Sequence, residues 1–229
     1  MWQRLASELP DFFGYYNVIF LAKAALATIA LSFIGSLTGA VIGFGAAVVR
    51  LTQARALATL RWATVLFTEL FRRIPFLVTL MLVFFVFQLS GFDLPLFVIA
   101  LIAVFLIATA YLAEIIRAGL ESVHRNQWDA AAAMNFSLPE TIRYIVLPQA
   151  WRVILPPAFG FFILFIKDTA LASQIGVIEL TYAGKVLNNK GFSAALVFGA
   201  LLVIYFLISY PLALLGVRLE AWLAASRTR

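Results

Sequence analysis

The sequence predicts an all-α integral membrane protein with five transmembrane helices, forming one transmembrane domain over residues 1–229. Of its 229 residues, 64% are hydrophobic and only 12% are charged, whereas a soluble domain carries about 25% charged residues. One soluble core cannot hide that much apolar surface, so most of it must face lipid. The apolar residues also come in continuous runs, whereas a membrane barrel strand would alternate over about 10 residues. The chain has no cysteine, which removes disulfide and thiolate chemistry and leaves the compartment open.

Met1 to Pro10 is too polar for a signal peptide, and the first apolar run is too long for a signal-peptide core, so that run is expected to be retained. A bilayer core needs about 20 helical residues to cross. Span one is read at 24–49, 26 residues without a charge. Span two lies within 57–89, with its cleanest stretch at 74–92 and a kink expected at Pro75. Span three is 94–113, span four 153–178 with Lys167-Asp168 inside it, and span five 192–217. In span one, Gly35, Gly39 and Gly43 form a stripe of small residues that suits close helix packing, within the bundle or at a subunit seam.

The formal charge is +6, from 17 Lys+Arg against 11 Asp+Glu. With the N-terminus outside, ten basic residues fall on the inner side: Arg50, Arg55, Arg61, Arg117, Arg125, Arg143, Arg152, Arg218, Arg227 and Arg229. Four fall outside: Arg4, Lys23, Lys185 and Lys190. That bias predicts N-out, C-in. The basic balance is therefore read as membrane topology, and no nucleic-acid partner is expected.

One long inner loop, 114–152, reads as two short helices. The first has Asn126 as an N-cap candidate and Asp129 three residues on, followed by Ala130 to Met134; Asn135 can close it in the left-handed conformation. The second opens with the capping box Ser137-Leu138-Pro139-Glu140 and is expected to stop at Pro148. Helices of roughly 10 residues are marginal alone in water, so they need a surface. Trp128, Ala131, Met134 and Phe136 offer apolar contacts, either to lipid and the protein's own helix ends or to a soluble partner.

This loop resembles the "EAA…G…I-x-L-P" segment of ATP-binding-cassette (ABC) importer permeases. It is most similar to the polar amino acid uptake branch (histidine, glutamine and glutamate-aspartate permeases), on the residues Leu147-Pro-Gln-Ala150, Leu155-Pro-Pro157 and Lys167-Asp-Thr-Ala-Leu-Ala-Ser173. Glu69-Leu-Phe-Arg72 with Pro75 and Ala113-Glu-Ile-Ile-Arg-Ala-Gly119 add to the likeness. Two departures are mild: Asp129 stands for the family's Glu, and Asn135 for its Gly. Arg73-Ile74, where the family has Gly-Thr, is a larger one.

The resemblance implies a MetI-like ABC permease fold with a cytoplasmic coupling loop, in the bacterial inner membrane. Trp128, Asp129, Ala130, Ala131, Asn135 and Pro148 would then couple to a separate ABC ATPase subunit, and ATP and Mg2+ would bind to that partner. No cofactor is expected on this chain, which lacks a G-x-x-x-x-G-K-[ST] loop. An extracellular or periplasmic amino acid-binding protein and a second permease, identical or paralogous, are the other implied partners beside membrane lipid. Five spans are few for a pore, which also argues for at least a dimer.

Ionisable residues within spans are costly and default to function. Lys167 and Asp168, followed by Thr169 and Ser173, can pair the carboxylate and ammonium of an amino acid, or pair with each other as a structural link. Glu69 is a second cargo candidate, or an internal partner of Arg72 and Arg73. His124 is the only histidine and has no companions at metal-ligand spacing; no catalytic set and no metal site are expected. The function implied is the transmembrane subunit of an importer that moves a polar amino acid inward, driven by ATP hydrolysis elsewhere. A channel or a secondary carrier acting alone is the alternative, and uptake that persists without ATP hydrolysis would favour it.

Overall fold

The computed structural model describes residues 2–52 and 54–225. Arg227 and Arg229, counted above on the inner side, lie outside the described residues. Every regular element among the described residues is helical. The chain divides into two compact units, one of Met1–Ile34, Phe76–Val104 and Ile163–Leu214, the other of Gly35–Pro75, Phe105–Phe162 and Leu215–Arg229.

Helix α1 (Trp2–Phe12) precedes α2 (Tyr15–Leu51), which starts nine residues before the apolar run at Ala24. A 3₁₀ turn (Arg55–Leu57) leads into α3 (Ala58–Arg73), and α4 covers Phe76–Ser90. Instead of a kinked span, the helix breaks outright: Ile74 is extended, with φ −92° and ψ 134°. A residue before proline is pushed out of the α region, and Pro75 has no N–H to continue the ladder. Helix α5 (Leu96–Glu121) runs on past Ala113, so Glu114 to Glu121 belong to a span helix rather than to the loop.

Helix α6 covers Arg125–Ala133. The second loop helix does not stop at Pro148: α7 (Leu138–Glu140) passes through a π turn (Thr141–Val146) directly into α8 (Leu147–Asp168). The Leu147 N–H reaches back to Ile142 O, five residues away. The wider turn takes the strain that a proline places on the preceding helical turn. A 3₁₀ stretch (Thr169–Ile175) follows and ends at Gly176, with φ 92°. Helix α9 is Leu180–Asn189, and α10 is Ala194–Ala225.

Four helical stretches are long and apolar enough to cross a membrane: Tyr15–Leu51, Leu96–Glu121, Leu138–Ile175 and Ala194–Leu223. The broken pair α3 and α4 makes the fifth when taken as one span. The predicted five-span helical architecture therefore holds.

In the first unit, Phe12, Leu21 and Ala24 pack with Leu180, Ala183 and Leu187 of α9 and with Val197 and Leu201 of α10. A Cβ on Gly184 would lie 2.5 Å from Leu201 Cδ1, so glycine sets how closely α9 approaches α10. In the second unit, Ala47, Ala108, Leu112, Ile116, Leu120, Val146, Ala150 and Ile154 form the core. There the glycine stripe packs within the chain. A Cβ on Gly39 would sit 2.6 Å from Ala108 Cβ, and one on Gly43 2.9 Å from Ala113 N.

Candidate functional site

The protruding hairpin of the second unit is built from local signals. His124 caps α6, its Nδ1 accepting from Asn126 N–H at 3.2 Å, so the cap lies two residues before the expected Asn126. The other end is a Schellman closure. Asn135 takes φ 62°, its N–H donates to Ala132 O at 2.9 Å, and the Phe136 N–H donates to Ala131 O at 3.0 Å. Glu140 accepts from Ser137 N–H at 2.8 Å, the reach-back bond of the capping box, and also from Ser137 Oγ at 2.6 Å.

Burial divides the predicted coupling residues. Ala131 is wholly buried, while Trp128 packs on the unit's own core and stays partly exposed. Asp129, Ala130, Asn135 and Pro148 are exposed, as are Met134 and Phe136. Asp129 lies 3.8 Å from Arg125. A cavity of about 760 Å³ opens at the foot of the hairpin, lined by residues that include His124, Pro148, Gln149, Arg152 and Glu220.

The same unit holds a charge network that sequence spacing only half revealed. Glu114 accepts from Arg50 Nη1 at 2.7 Å and from Arg117 Nη2 at 2.5 Å, and lies 3.7 Å from Arg72. Arg117 also pairs with Glu121, and Arg50 donates to Thr68 Oγ1 at 3.2 Å. Glu69 pairs with Arg73 at 2.6 Å and lies 3.8 Å from Arg72. The Glu114–Arg117 and Glu69–Arg73 pairs are legible as helical spacings. The links from Glu114 to Arg50 and Arg72 are tertiary and leave no local signal.

In the first unit, Lys167 and Asp168 are the last two residues of α8, not the middle of a continuous α-helical span. Lys167 is exposed and Asp168 half-buried, and neither makes a hydrogen bond or close ion pair among the described residues. Thr169 and Ser173 are buried in the 3₁₀ stretch. Thr169 Oγ1 donates to Ile166 O at 2.8 Å and lies 3.3 Å from Ser32 Oγ; Ser173 Oγ accepts from Lys185 Nζ at 3.0 Å. Lys167, Asp168, Thr169 and Ser173 thus share the first unit, while Glu69 belongs to the second.

Glu179 stands in no motif of the sequence. It is fully buried between the candidate spans. Its carboxylate accepts from the Tyr182 N–H at 2.8 Å, the Thr181 N–H at 2.9 Å and Tyr205 OH at 3.1 Å, and lies 3.4 Å from Thr28 Oγ1. Burial pushes this carboxyl above the usual range, and the donated hydrogen bonds oppose the rise.

Residues 39–228 match the family described as "Binding-protein-dependent transport system inner membrane component". The chain is 32% identical over 216 residues to the probable glutamine ABC transporter permease protein GlnP of Bacillus subtilis (strain 168), covering 92% of this chain and 98% of that one. It is 35% identical over 202 residues to the glutamine transport system permease protein GlnP of Escherichia coli (strain K12), covering 87% and 91%. Its fold is similar to the crystal structure of an amino acid ABC transporter with histidines, with a TM-score of 0.81, 25% identity and coverage of 90% of this chain and 95% of that one. An inward-facing MetNI methionine ABC transporter shares the fold, with a TM-score of 0.77, 22% identity and coverage of 92% and 99%.

Proposed function

The chain belongs to the family of inner membrane components of binding-protein-dependent transport systems, and from that premise we propose that it is the transmembrane subunit of an ATP-driven importer for a polar amino acid. It is a transporter component rather than an enzyme. The cargo class rests on two relatives named as glutamine permeases, to which the chain is 32–35% identical across nearly their whole length. The observation that carries the mechanism is the hairpin. A short helix, capped at both ends and anchored through Trp128 and Ala131, presents Asp129, Ala130 and Met134 outward.

Such a knob fits a groove in a separate ATPase that binds ATP and Mg2+. Helix α8 follows the hairpin through the π turn and ends at Lys167-Asp168, which makes it the covalent route between the docking knob and the cargo candidates. Two permeases, identical or paralogous, then rock between inward-open and outward-open states. A binding protein delivers cargo from outside, and the excess of Arg on the inner side supports N-out, C-in. Asp168 takes the cargo ammonium, Lys167 its carboxylate, and Thr169 and Ser173 line the segment beside them.

Asp129→Arg tests the docking step on a residue that is exposed and outside the core. In proteoliposomes carrying the complete transporter, uptake of a mixture of labelled L-amino acids is expected to fall roughly tenfold, as when an interface charge is reversed. ATP hydrolysis is expected to continue, and the permease to stay in the membrane. Uptake at the parent rate would overturn the assignment.

A further inference from the structure

Three helix ends of the second unit meet at one small cavity. Arg50 is the penultimate residue of α2, Arg61 lies in the first turn of α3, and Arg117 and Glu121 stand one turn apart at the end of α5. With Trp62 and Val65 they line a cavity of about 210 Å³. The guanidinium groups are held in place but not matched. Arg61 Nη1 donates to the backbone carbonyl of Thr52 at 2.8 Å, and no carboxylate pairs with it among the described residues. Arg50 Nη1 donates to Glu114 and to Thr68, but Glu114 is shared with Arg117 and Arg72. Arg117 alone is answered in full, by Glu114 and Glu121.

A guanidinium carries five N–H donors. The Nε and Nη2 groups of Arg50 and Arg61 find no acceptor among the described residues. The Arg50 side chain is only 13% exposed, so little of it meets water, and an unmet donor there is costly. The cavity thus holds surplus positive charge and spare donors, which suit an oxyanion; guanidinium groups match phosphate oxygens in particular. The surroundings decide which oxyanion. Trp62 and Leu66 are each 70% exposed and Leu70 49%, and their four-residue spacing continues one face of α3 for about 12 Å beyond Trp62. An indole beside cations at the end of a span suits a membrane–water boundary. A dissolved anion would fill the cavity and leave that apolar strip uncovered, whereas a phospholipid covers both.

We infer that this cavity is a binding site for an anionic phospholipid, with the phosphate on Arg50 and Arg61 and a hydrocarbon chain along Trp62, Leu66 and Leu70. The surplus of arginine favours a headgroup of net negative charge over a zwitterionic one. That the lipid belongs to the inner leaflet rests on the N-out orientation proposed above. Retention of the lipid by the purified protein does not, so the two readings fail separately.

The test uses the full transporter in mild detergent, given equal amounts of phosphatidylglycerol and phosphatidylcholine, with native mass spectrometry counting the lipids retained. The parent is expected to keep phosphatidylglycerol in preference. Arg61→Gln leaves the Glu114 network intact and is expected to lower that preference about fivefold, the worth of one cation near a headgroup. Arg61→Lys keeps the charge and should stay within about twofold of the parent. Arg218→Gln removes an exposed inner-side arginine outside the cavity and should leave the preference unchanged. Glycerol 3-phosphate, a headgroup without chains, should not displace the lipid at equal concentration. No preference in the parent, or an equal loss in Arg218→Gln, would overturn the inference. Displacement by glycerol 3-phosphate would make the ligand a dissolved anion and overturn it too. So would an Arg61→Gln transporter that loses its ATPase subunit while keeping phosphatidylglycerol, since the arginines would then be holding a protein.

Discussion

Glu114 and Glu179 are the two most heavily bonded carboxylates among the described residues, and they are satisfied in opposite ways. Glu114 sits in the second unit with three guanidinium groups around it: Arg50, Arg117 and Arg72. Its side chain keeps 20% of its exposure. Glu179 sits in the first unit, fully buried, among amide and hydroxyl dipoles and without a cation in contact. Compensation by cations is strong but depends on every partner remaining, since each arginine was taken partly out of water to meet one acid. Compensation by dipoles is weaker per bond, but its donors are fixed by backbone and packing. One network therefore behaves as a set of mutual dependencies, the other as a rigid seat.

The largest effect expected from that contrast is at Glu114. Glu114→Gln leaves three guanidinium groups, those of Arg50, Arg117 and Arg72, around a neutral group, and the partly buried location makes that cost about 2–3 kcal/mol of stability. Glu179→Gln keeps one oxygen and turns an NH₂ toward a backbone N–H, with an expected cost of about 1–2 kcal/mol. Chemical denaturation of the purified complex in detergent measures both. The comparison breaks if Glu179→Gln proves the more costly of the two. It sharpens if Arg50→Met restores part of what Glu114→Gln loses, because removing the stranded charge relieves the penalty.

The same contrast explains what the sequence could and could not say. The hairpin was legible because its instructions are local. Asn135 tolerates positive φ, Ser137 and Glu140 stand three apart, and the alanine run favours helix. The spans were legible as apolar runs, except where local chemistry was overridden. Pro148 reads as a stop, yet a π turn carries the helix through it, and Pro75 reads as a kink but breaks the helix completely. The polar seat around Glu179 was invisible because its partners are 26 to 151 residues away, as Tyr205 and Thr28 show, or are backbone amides that every residue carries. Trp128 and Ala131 read as docking residues from their position in the motif; only packing shows that Ala131 is buried and that Trp128 lays part of its ring on the core.

A middle-sized effect is expected at Asn135, which turns the chain between α6 and α7. Its φ of 62° is a left-handed value that most side chains resist by about 1–2 kcal/mol. Asn135→Gly should therefore keep the hairpin, while Asn135→Val should cost about 1 kcal/mol or more and speed amide hydrogen exchange over residues 130–137. Exchange around Glu179 should not change, because that seat lies in the other unit and takes no donor from the turn. If exchange rises equally in both regions, the distinction between a locally specified hairpin and a tertiary seat is wrong.

The smallest effect is expected at the rim of the charge network. Arg73 pairs with Glu69 at 2.6 Å, shorter than the Arg50–Glu114 distance, yet its side chain is 78% exposed where that of Arg50 is 13% exposed. Distance alone would rank Arg73 first. Water decides otherwise, since an exposed pair is screened by solvent and salt and adds little. Arg73→Ala should shift the denaturation midpoint by less than Arg50→Ala does, and the Arg73 effect should vanish as salt rises toward 1 M, where the Debye length is about 3 Å. Arg50→Ala should keep most of its cost at that salt, because Glu114 would be left half-buried beside a single remaining close partner, Arg117. If the two substitutions respond to salt alike, burial is not what separates the centre of this network from its edge, and Glu114 loses its standing as the opposite case to Glu179.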